Sequence, residues 1–133
     1  MPTAPTTIYL QAESDVTTAL MTAADVATNA GFDERGKNGV MTVVAELARN
    51  VIKYAKSGRV TLTAIDSGGR RGLEIEVIDR GPGIADVERA MTDHFSTGKT
   101  LGLGLPGARR LMDEFSITST PGRGTRVVAR KWL

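Results

Sequence analysis

A pair of strand-like segments around a glycine turn limits the fold of this 133-residue chain most strongly. RVTLTAI (59–65) and LEIEVID (73–79) are rich in β-branched residues, and DSGGRRG lies between them. Two such segments joined by a short glycine-rich loop are typical of a β-hairpin. We therefore expect these two strands to be antiparallel neighbours in one sheet.

The other elements follow from apolar spacing, strand alternation and capping residues. They are a strand at TTIYLQA, a helix from Ser14 as N-cap to Gly31 as C-cap, a helix from about Glu34 to Lys56 that Gly58 ends, a helix from about Pro106 to Glu114, and a terminal hairpin of FSITST and TRVVARKW. Strands and helices do not alternate strictly. The order predicts an α+β fold, a two-layer sandwich of a mixed, mostly antiparallel sheet with helices on one face.

Length and composition favour one domain, residues 1–133, because 41% hydrophobic content supplies one core and the chain is too short for two. The chain has no cysteine and a single histidine, His94, so disulfides, thiolate metal sites and zinc sites are not expected. Residues 1–34 lack Lys, Arg and a long apolar run, and no later segment could span a bilayer. We expect a cytoplasmic protein without membrane contact.

The formal net charge of +2 conceals an asymmetry along the chain. Residues 1–34 hold five acidic residues and no basic one, whereas residues 35–133 hold 17 basic and 10 acidic residues, a charge of +7. An anion-binding site is therefore expected in the later part. The basic residues form no long run and are not interleaved with aromatic residues, so nucleic-acid binding is not expected.

The stretch STGKTLGLGLPG, residues 96–107, contains both a GKT and a GxGxxG pattern. A Walker P-loop needs a glycine five positions before Gly98, where this chain has Asp93. A dinucleotide fingerprint needs a preceding strand and an acidic residue about 20 positions later, but no acidic residue follows Glu114. Pro106 at a helix start still indicates a bare turn that leads into a helix N-terminus, which favours an anion. The alternatives are a phosphate site and a flexible loop with cap glycines.

Glu46 and Asn50 are spaced i, i+4 in the second predicted helix, so they are neighbours on one helical face. A carboxylate can accept a proton, and an amide oxygen can bind Mg²⁺. Taken alone, such a pair is more often a solvated helix face.

Asp79 ends a predicted strand and is followed by Gly81 and Gly83. The glycines let backbone approach a flat ligand closely, while the carboxylate can accept from an exocyclic amine. A simple Asp-Gly turn is the alternative.

The segment TPGRGT carries Gly122 and Gly124, which make a hairpin turn whatever else they do. Thr125 adds a hydroxyl group directly after that turn.

Taken in order, Glu46–Asn50, DRGPG, GLGLPG and GRGT resemble the N, G1, G2 and G3 boxes of the GHKL, or Bergerat-fold, ATP-binding superfamily of gyrase, histidine kinases and mismatch-repair ATPases. The stretches AELARNVIKYA, DRGPGI, FSTGKTLGLGLPGARRLMDEF, GRGT and the terminal KWL are similar to the RsbT-type serine/threonine kinases, the stressosome switch kinases. The resemblance runs from about residue 8 to the terminus.

The resemblance implies a nucleotide site for ATP and Mg²⁺. Asp79 would take the adenine amine, with Thr125 helping through water and Gly81 and Gly83 shaping the pocket floor. Asn50 would bind the Mg²⁺ that bridges the phosphates. The phosphates would be cradled by Gly102, Leu103, Gly104 and the N-terminus of the helix that follows. The segment from about Asp93 to Leu101 would form a short lid, whose Thr97 or Lys99 would contact the phosphates.

The same resemblance implies that Glu46 orients and deprotonates an attacking hydroxyl, and that charge neutralisation supplies most of the rate. The acceptor would be a Ser or Thr of a STAS-domain antagonist protein, and the released kinase would activate a PP2C-type phosphatase. One alternative is an anti-sigma factor of the RsbW or SpoIIAB type. Another is a nucleotide-dependent clamp without transfer activity. The oligomeric state stays open, because an exposed strand edge or helix face could serve a partner or a second copy.

Overall fold

The computed structural model describes residues 4–81 and 104–133. Within these ranges the chain forms three α-helices and five strands. In chain order they are β1 (Thr6–Leu10), α1 (Glu13–Ala30), α2 (Glu34–Asn50) with a π-helical continuation (Val51–Ala55), β2 (Gly58–Ser67), β3 (Arg70–Asp79), α3 (Gly104–Leu111), β4 (Glu114–Thr120) and β5 (Gly124–Trp132).

The five strands form one sheet in the order β1-β2-β3-β5-β4, and all four pairings are antiparallel. The predicted hairpin of β2 and β3 is confirmed, since Gly68 and Gly69 have φ of 60° and 82° in the turn between Ser67 and Arg70. Positive φ at both turn residues matches the right-handed twist of the flanking strands. The predicted α+β class is confirmed.

Alternate residues of the strands pack with the helices in one apolar core. The strand side of the core consists of Ile8, Leu10, Val60, Leu62, Leu73, Ile75, Val77, Val127 and Ala129. From the helices come Val16, Ala19, Ala23, Ala27 and the predicted α2 stripe of Val40, Val44, Leu47 and Val51. This single buried parity along the strands shows that the helices cover one face of the sheet. No helix within the two described ranges is long and apolar enough to cross a membrane.

The start of α1 differs from the prediction, because Ser14 is not its N-cap. Ala12 occupies that position, and Ser14 lies within the first turn. The carboxylate of Asp15 accepts from the backbone N–H groups of Gln11 (2.8 Å) and Ala12 (2.9 Å). An acidic residue in the first turn thus replaces the expected hydroxyl cap. The predicted C-cap is confirmed, since Gly31 has a left-handed φ of 102°.

The end of the second helix also differs. Regular α-helix stops at Asn50, and the π-helical turn carries the chain to Ala55. Lys56, with a φ of 70°, closes this turn, and its N–H donates to the Val51 carbonyl at 2.8 Å. Gly58 is therefore not a helix cap and is instead the first residue of β2.

Helix α3 begins and ends earlier than the predicted range of Pro106 to Glu114. Asp113 N–H already donates to the Arg130 carbonyl at 3.0 Å, so the chain joins the sheet before Glu114. The Lys131 ammonium donates to the carbonyl of Leu111 at 3.0 Å, which satisfies a partly buried acceptor at the end of the helix. Pairing with β5 thus overrides the local helical pattern.

Candidate active site

A row of cross-strand partners crosses the whole sheet at the end of β3. Its members, in sheet order, are Leu10, Gly58, Asp79, Thr125 and Ser119. Directly opposed residues of antiparallel strands point to the same face. Leu10 is fully buried under the helices, so Asp79, Thr125 and Ser119 lie on the helix-covered face as well. The core therefore ends here in a carboxylate and two hydroxyl groups.

Asp79 is half-buried at the last position of β3. Its Oδ1 accepts from the backbone N–H of Gly81 at 2.9 Å, so the Asp-Gly turn considered from the sequence does form. No donor within residues 4–81 and 104–133 bonds to Oδ2. The turn holds the carboxylate in place and leaves one oxygen able to accept from a ligand.

Two glycines on the strands beside β3, Gly58 in the row and Gly124 directly before Thr125, bring neighbouring backbone close to Asp79. A Cβ at Gly58 would lie 2.5 Å from the Ile78 carbonyl oxygen and 3.2 Å from Asp79 Cβ. At Gly124, where φ is 124°, a Cβ would overlap the Asp79 carbonyl oxygen. The sequence interpretation assigned Gly58 to a helix end and Gly124 to a turn, and it missed both contacts.

Gly81 connects this strand end to the second helix. A Cβ at Gly81 would lie 2.6 Å from Ala55 Cβ, so its backbone lies directly against the end of the π-helical turn. Val51, the residue after Asn50, lies against Gly58, the cross-strand partner of Asp79, since a Cβ at Gly58 would lie 2.8 Å from Val51 Cγ1. Asn50 is half-buried, and no hydrogen bond joins its side chain to another described residue. The predicted metal ligand thus directly precedes a residue that packs against the row of Asp79.

Glu46 lies at the N-terminus of α3. Its Oε1 accepts from the backbone N–H of Gly104 at 3.1 Å, in a partly buried contact. Gly104 has a positive φ of 66°, and Pro106, which has no N–H, is buried in the first turn. Unpaired N–H groups and the helix dipole make such a terminus attractive to anions. The structure therefore joins the predicted base with the described part of the predicted phosphate cradle.

The remaining predicted site residues lie outside the described ranges. These are Gly83, Thr97, Lys99, Gly102 and Leu103, together with the predicted lid from about Asp93 to Leu101. Their roles stay predictions.

Ser119 is a polar residue of the row that sequence reasoning missed. Its Oγ lies 2.9 Å from Thr125 Oγ1 and donates to the Gly124 carbonyl at 3.2 Å. The available signal was strand alternation, because Ser119 follows Phe115 and Ile117 at a spacing of two, and both pack against the core.

The described residues fit a magnesium nucleotide. Among the residues in the two described ranges, Asp79 offers a carboxylate oxygen with no bonded donor, and a helix N-terminus lies beside the carboxylate of Glu46. Within the described ranges, no group of three or more His, Cys, Asp or Glu residues could hold a metal alone. Mg²⁺ commonly binds through one or two protein ligands together with substrate phosphates, and Asn50 could serve as one of them.

Residues 36–133 match the family model described as histidine kinase-, DNA gyrase B-, and HSP90-like ATPase. The chain belongs to this ATPase family. The matched range starts within α2 and includes Glu46, Asp79 and Thr125.

Two relatives within this family are a protein kinase and an anti-sigma factor. The chain is 41% identical to the serine/threonine-protein kinase RsbT of Bacillus subtilis (strain 168) over 126 residues. This alignment covers 95% of each chain. It is 38% identical over 100 residues to an anti-sigma F factor of Thermoanaerobacter sp. (strain X514), covering 71% of this chain and 68% of the relative. The predicted family is confirmed, and so is the predicted enzyme class, a serine/threonine protein kinase.

Solved structures share the fold at low sequence identity. The RsbU and RsbW domains of Rv1364c from Mycobacterium tuberculosis match with a TM-score of 0.68 and 17% identity over 97% of this chain, which corresponds to 32% of that one. The mycobacterial sensor histidine kinase MprB matches with a TM-score of 0.58 and 17% identity, covering 97% and 96% of the two chains.

Proposed function

We propose that this protein transfers the γ-phosphoryl group of Mg-ATP to a Ser or Thr of a STAS-domain antagonist protein and, once released, activates a PP2C-type phosphatase. The observation that carries the proposal is the 3.1 Å bond from Gly104 N–H to Glu46, because it joins a potential base to a helix N-terminus suited to phosphate. Similarity to RsbT over 95% of the chain supports it.

The base end of the nucleotide is proposed to lie at the row of Asp79 and Thr125. The open Oδ2 of Asp79 would accept from the adenine amine, and the Thr125 hydroxyl would help through a water molecule. The backbone at Gly81 and at Gly83 would form the floor beneath the ring. Glycine suits this role because it lets backbone approach the flat base closely.

The phosphate end is proposed to lie between α2 and α3. Gly104 N–H and the first turn of α3 would bind phosphate oxygens, with Gly102, Leu103, Thr97 and Lys99 as further contacts. Asn50 would hold Mg²⁺, which supplies charge neutralisation on the phosphates when it is bound. Because Gly104 N–H is bonded to Glu46 in this structure, nucleotide binding would release that carboxylate for its second role.

Glu46 would then orient the acceptor hydroxyl and take its proton. A bond forms between the acceptor oxygen and the γ-phosphorus, the bond from that phosphorus to the ADP oxygen breaks, and the proton moves to the Glu46 carboxylate. Proton transfer to a positioned base typically contributes about 10²- to 10⁴-fold in rate. The rest would come from alignment and from charge neutralisation at the phosphates.

The test is transfer of labelled γ-phosphate from Mg-ATP to a STAS-domain protein of the same organism, by wild type and by Glu46→Gln. We expect label on a partner Ser or Thr that falls at least about 100-fold in Glu46→Gln, with ATP affinity largely retained since Gln keeps the size of Glu and the Gly104 N–H would pass to phosphate in the complex. Equal loss of ATP binding and transfer would show that Glu46 is structural.

An anti-sigma factor is the second candidate, because an anti-sigma F factor is 38% identical over 71% of this chain. Stable capture of a sigma factor, with no label on any STAS protein, would establish that function instead.

A further inference from the structure

The outer face of the sheet, opposite the helices, carries a second row of side chains at the same strand ends as Asp79. One step along each strand from the row of Asp79 reverses the direction in which side chains point. The three described helices pack on the other face. The outer row, in sheet order, consists of Tyr9, Arg59, Ile78, Arg126 and Thr118.

The large side chains of the outer row remain accessible to a partner. Tyr9 is 69% exposed, although both of its neighbours in β1 are buried in the core. The guanidinium of Arg126 donates to Glu76 at 2.6 Å, yet 53% of the Arg126 side chain is exposed. Ile78, between the two arginines of the row, is half-buried. Tyrosine and arginine around an apolar centre are typical of the residues that dominate binding energy in protein interfaces.

This end of the sheet also carries an excess of positive charge. Besides Arg59 and Arg126 of the outer row, Arg80 directly follows β3, and all three are exposed. Arg123, directly before β5, is exposed as well. The acidic residue beside them on the outer face, Glu76, pairs with Arg126, and no ion pair within residues 4–81 and 104–133 engages the other three arginines. Three positive charges are therefore available to an acidic partner surface.

The location of the outer row determines which partner it suits. The proposed transfer site, formed by Glu46 and the N-terminus of α3, lies in the helix layer on the other face of the sheet. A substrate protein must bring its hydroxyl to that site, whereas a protein bound to the outer row leaves it free. The outer row therefore suits a partner that the kinase regulates without phosphorylating it.

We propose that the outer row binds an acidic surface of the PP2C-type phosphatase. The inference rests on the proposed function, in which the released kinase activates that phosphatase. Tyr9 and Ile78 would supply the apolar contact at the centre of the interface. Arg59, whose charge no described residue pairs, would bond to a carboxylate of the phosphatase.

The experiment measures activation of the PP2C-type phosphatase of the same organism by wild type, by two outer-row variants and by two controls. Arg59→Glu is matched by Arg35→Glu, which makes the same charge change at an exposed position in the first turn of α2. Tyr9→Ala is matched by Met21→Ala, which removes a side chain that is also largely exposed, on α1. We expect the half-maximal concentration for activation to rise at least about tenfold in each outer-row variant, as for an important interface residue. Both controls should activate as wild type does.

Salt separates the two outer-row effects. The difference between wild type and Arg59→Glu should shrink as the salt concentration rises, because salt screens exposed charges. The difference between wild type and Tyr9→Ala should persist, because the lost contact is apolar.

Mg-ATP affinity and transfer of labelled phosphate to the STAS-domain protein are measured on the same samples, and both should stay at wild-type values in all four variants. Wild-type activation by Arg59→Glu and Tyr9→Ala would overturn the inference. Loss of transfer with activation retained would assign the row to the substrate protein, and a fall in ATP affinity would assign it a structural role. If wild type activated no phosphatase, the proposed function itself would fail.

Discussion

At the end of the sheet where β5 finishes, charged groups and an indole N–H bond across strands, whereas at the end where β3 finishes, close contacts at three glycines surround one carboxylate. Trp132 N–H donates to Asp113 at 2.8 Å, and its indole N–H donates to Glu114 at 2.6 Å. Arg70 lies over the Trp132 ring at 5.2 Å. Arg130, also on β5, bonds to Glu74 of β3 at 2.8 Å, and this hydrogen bond and the Glu74 charge raise the pKa of Arg130.

The Asp79 end is built differently. Close contacts at Gly58, Gly81 and Gly124 surround Asp79, and the one hydrogen bond to its carboxylate within the described ranges comes from Gly81. The Gly81 N–H thus holds the Asp79 carboxylate through Oδ1 alone among the described residues. Charged cross-strand pairs thus hold the far end, whereas the Asp79 end keeps a carboxylate oxygen without a bonded donor among the described residues. Ligand-binding parts of proteins commonly have the lower local stability.

The largest expected effect comes from Gly124→Ala, which places a methyl group against the Asp79 carbonyl oxygen at a φ of 124°. We expect a loss of at least about 3 kcal/mol in the free energy of unfolding, from backbone strain and overlap together. Urea denaturation measures it. The control is Gly122→Ala, which also has a positive φ, 79°, but meets no described atom within 4 Å and should lose only about 1 kcal/mol. Equal losses would mean that the close approach to Asp79 is unimportant.

A smaller effect is expected at the far end. Glu114→Ala removes the acceptor of the Trp132 indole N–H and one partner of Arg130. Because these groups are partly exposed, unfolding should become easier by only about 1 kcal/mol, with ATP affinity at the wild-type value. Thermal unfolding and calorimetry on the same samples check both halves. A drop in ATP affinity would show that the two ends are not independent.

The sequence predicted the features set by local pattern. Alternation placed the strands, the paired glycines marked the hairpin, and the spacing of Val40, Val44, Leu47 and Val51 marked the buried face of α2. The order of the four motifs along the chain, including those of Glu46 and Asp79, also indicated the ATPase family.

What the sequence could not show depends on partners distant in the chain. Position 58 has no room for a side chain because β3 lies close to it. Ser119 bonds to Thr125 because β5 places Thr125 opposite it. Asp15 replaced Ser14 at the cap of α1 because a carboxylate in the first turn reaches two N–H groups at once. Helix α3 stopped early because β5 captured the next residues. Local propensity carries none of these contacts.

The most direct test of nucleotide binding at the Asp79 end is calorimetric titration of Mg-ATP into Asp79→Asn and Glu114→Ala side by side, with unfolding midpoints for both. Asn keeps the size of Asp79 but loses its charge and can turn a donor toward the adenine amine. We predict that Asp79→Asn weakens ATP binding about 10- to 100-fold, the value of a charged hydrogen bond, whereas Glu114→Ala binds ATP normally. Wild-type affinity in Asp79→Asn would contradict the placement of the nucleotide at this end of the sheet.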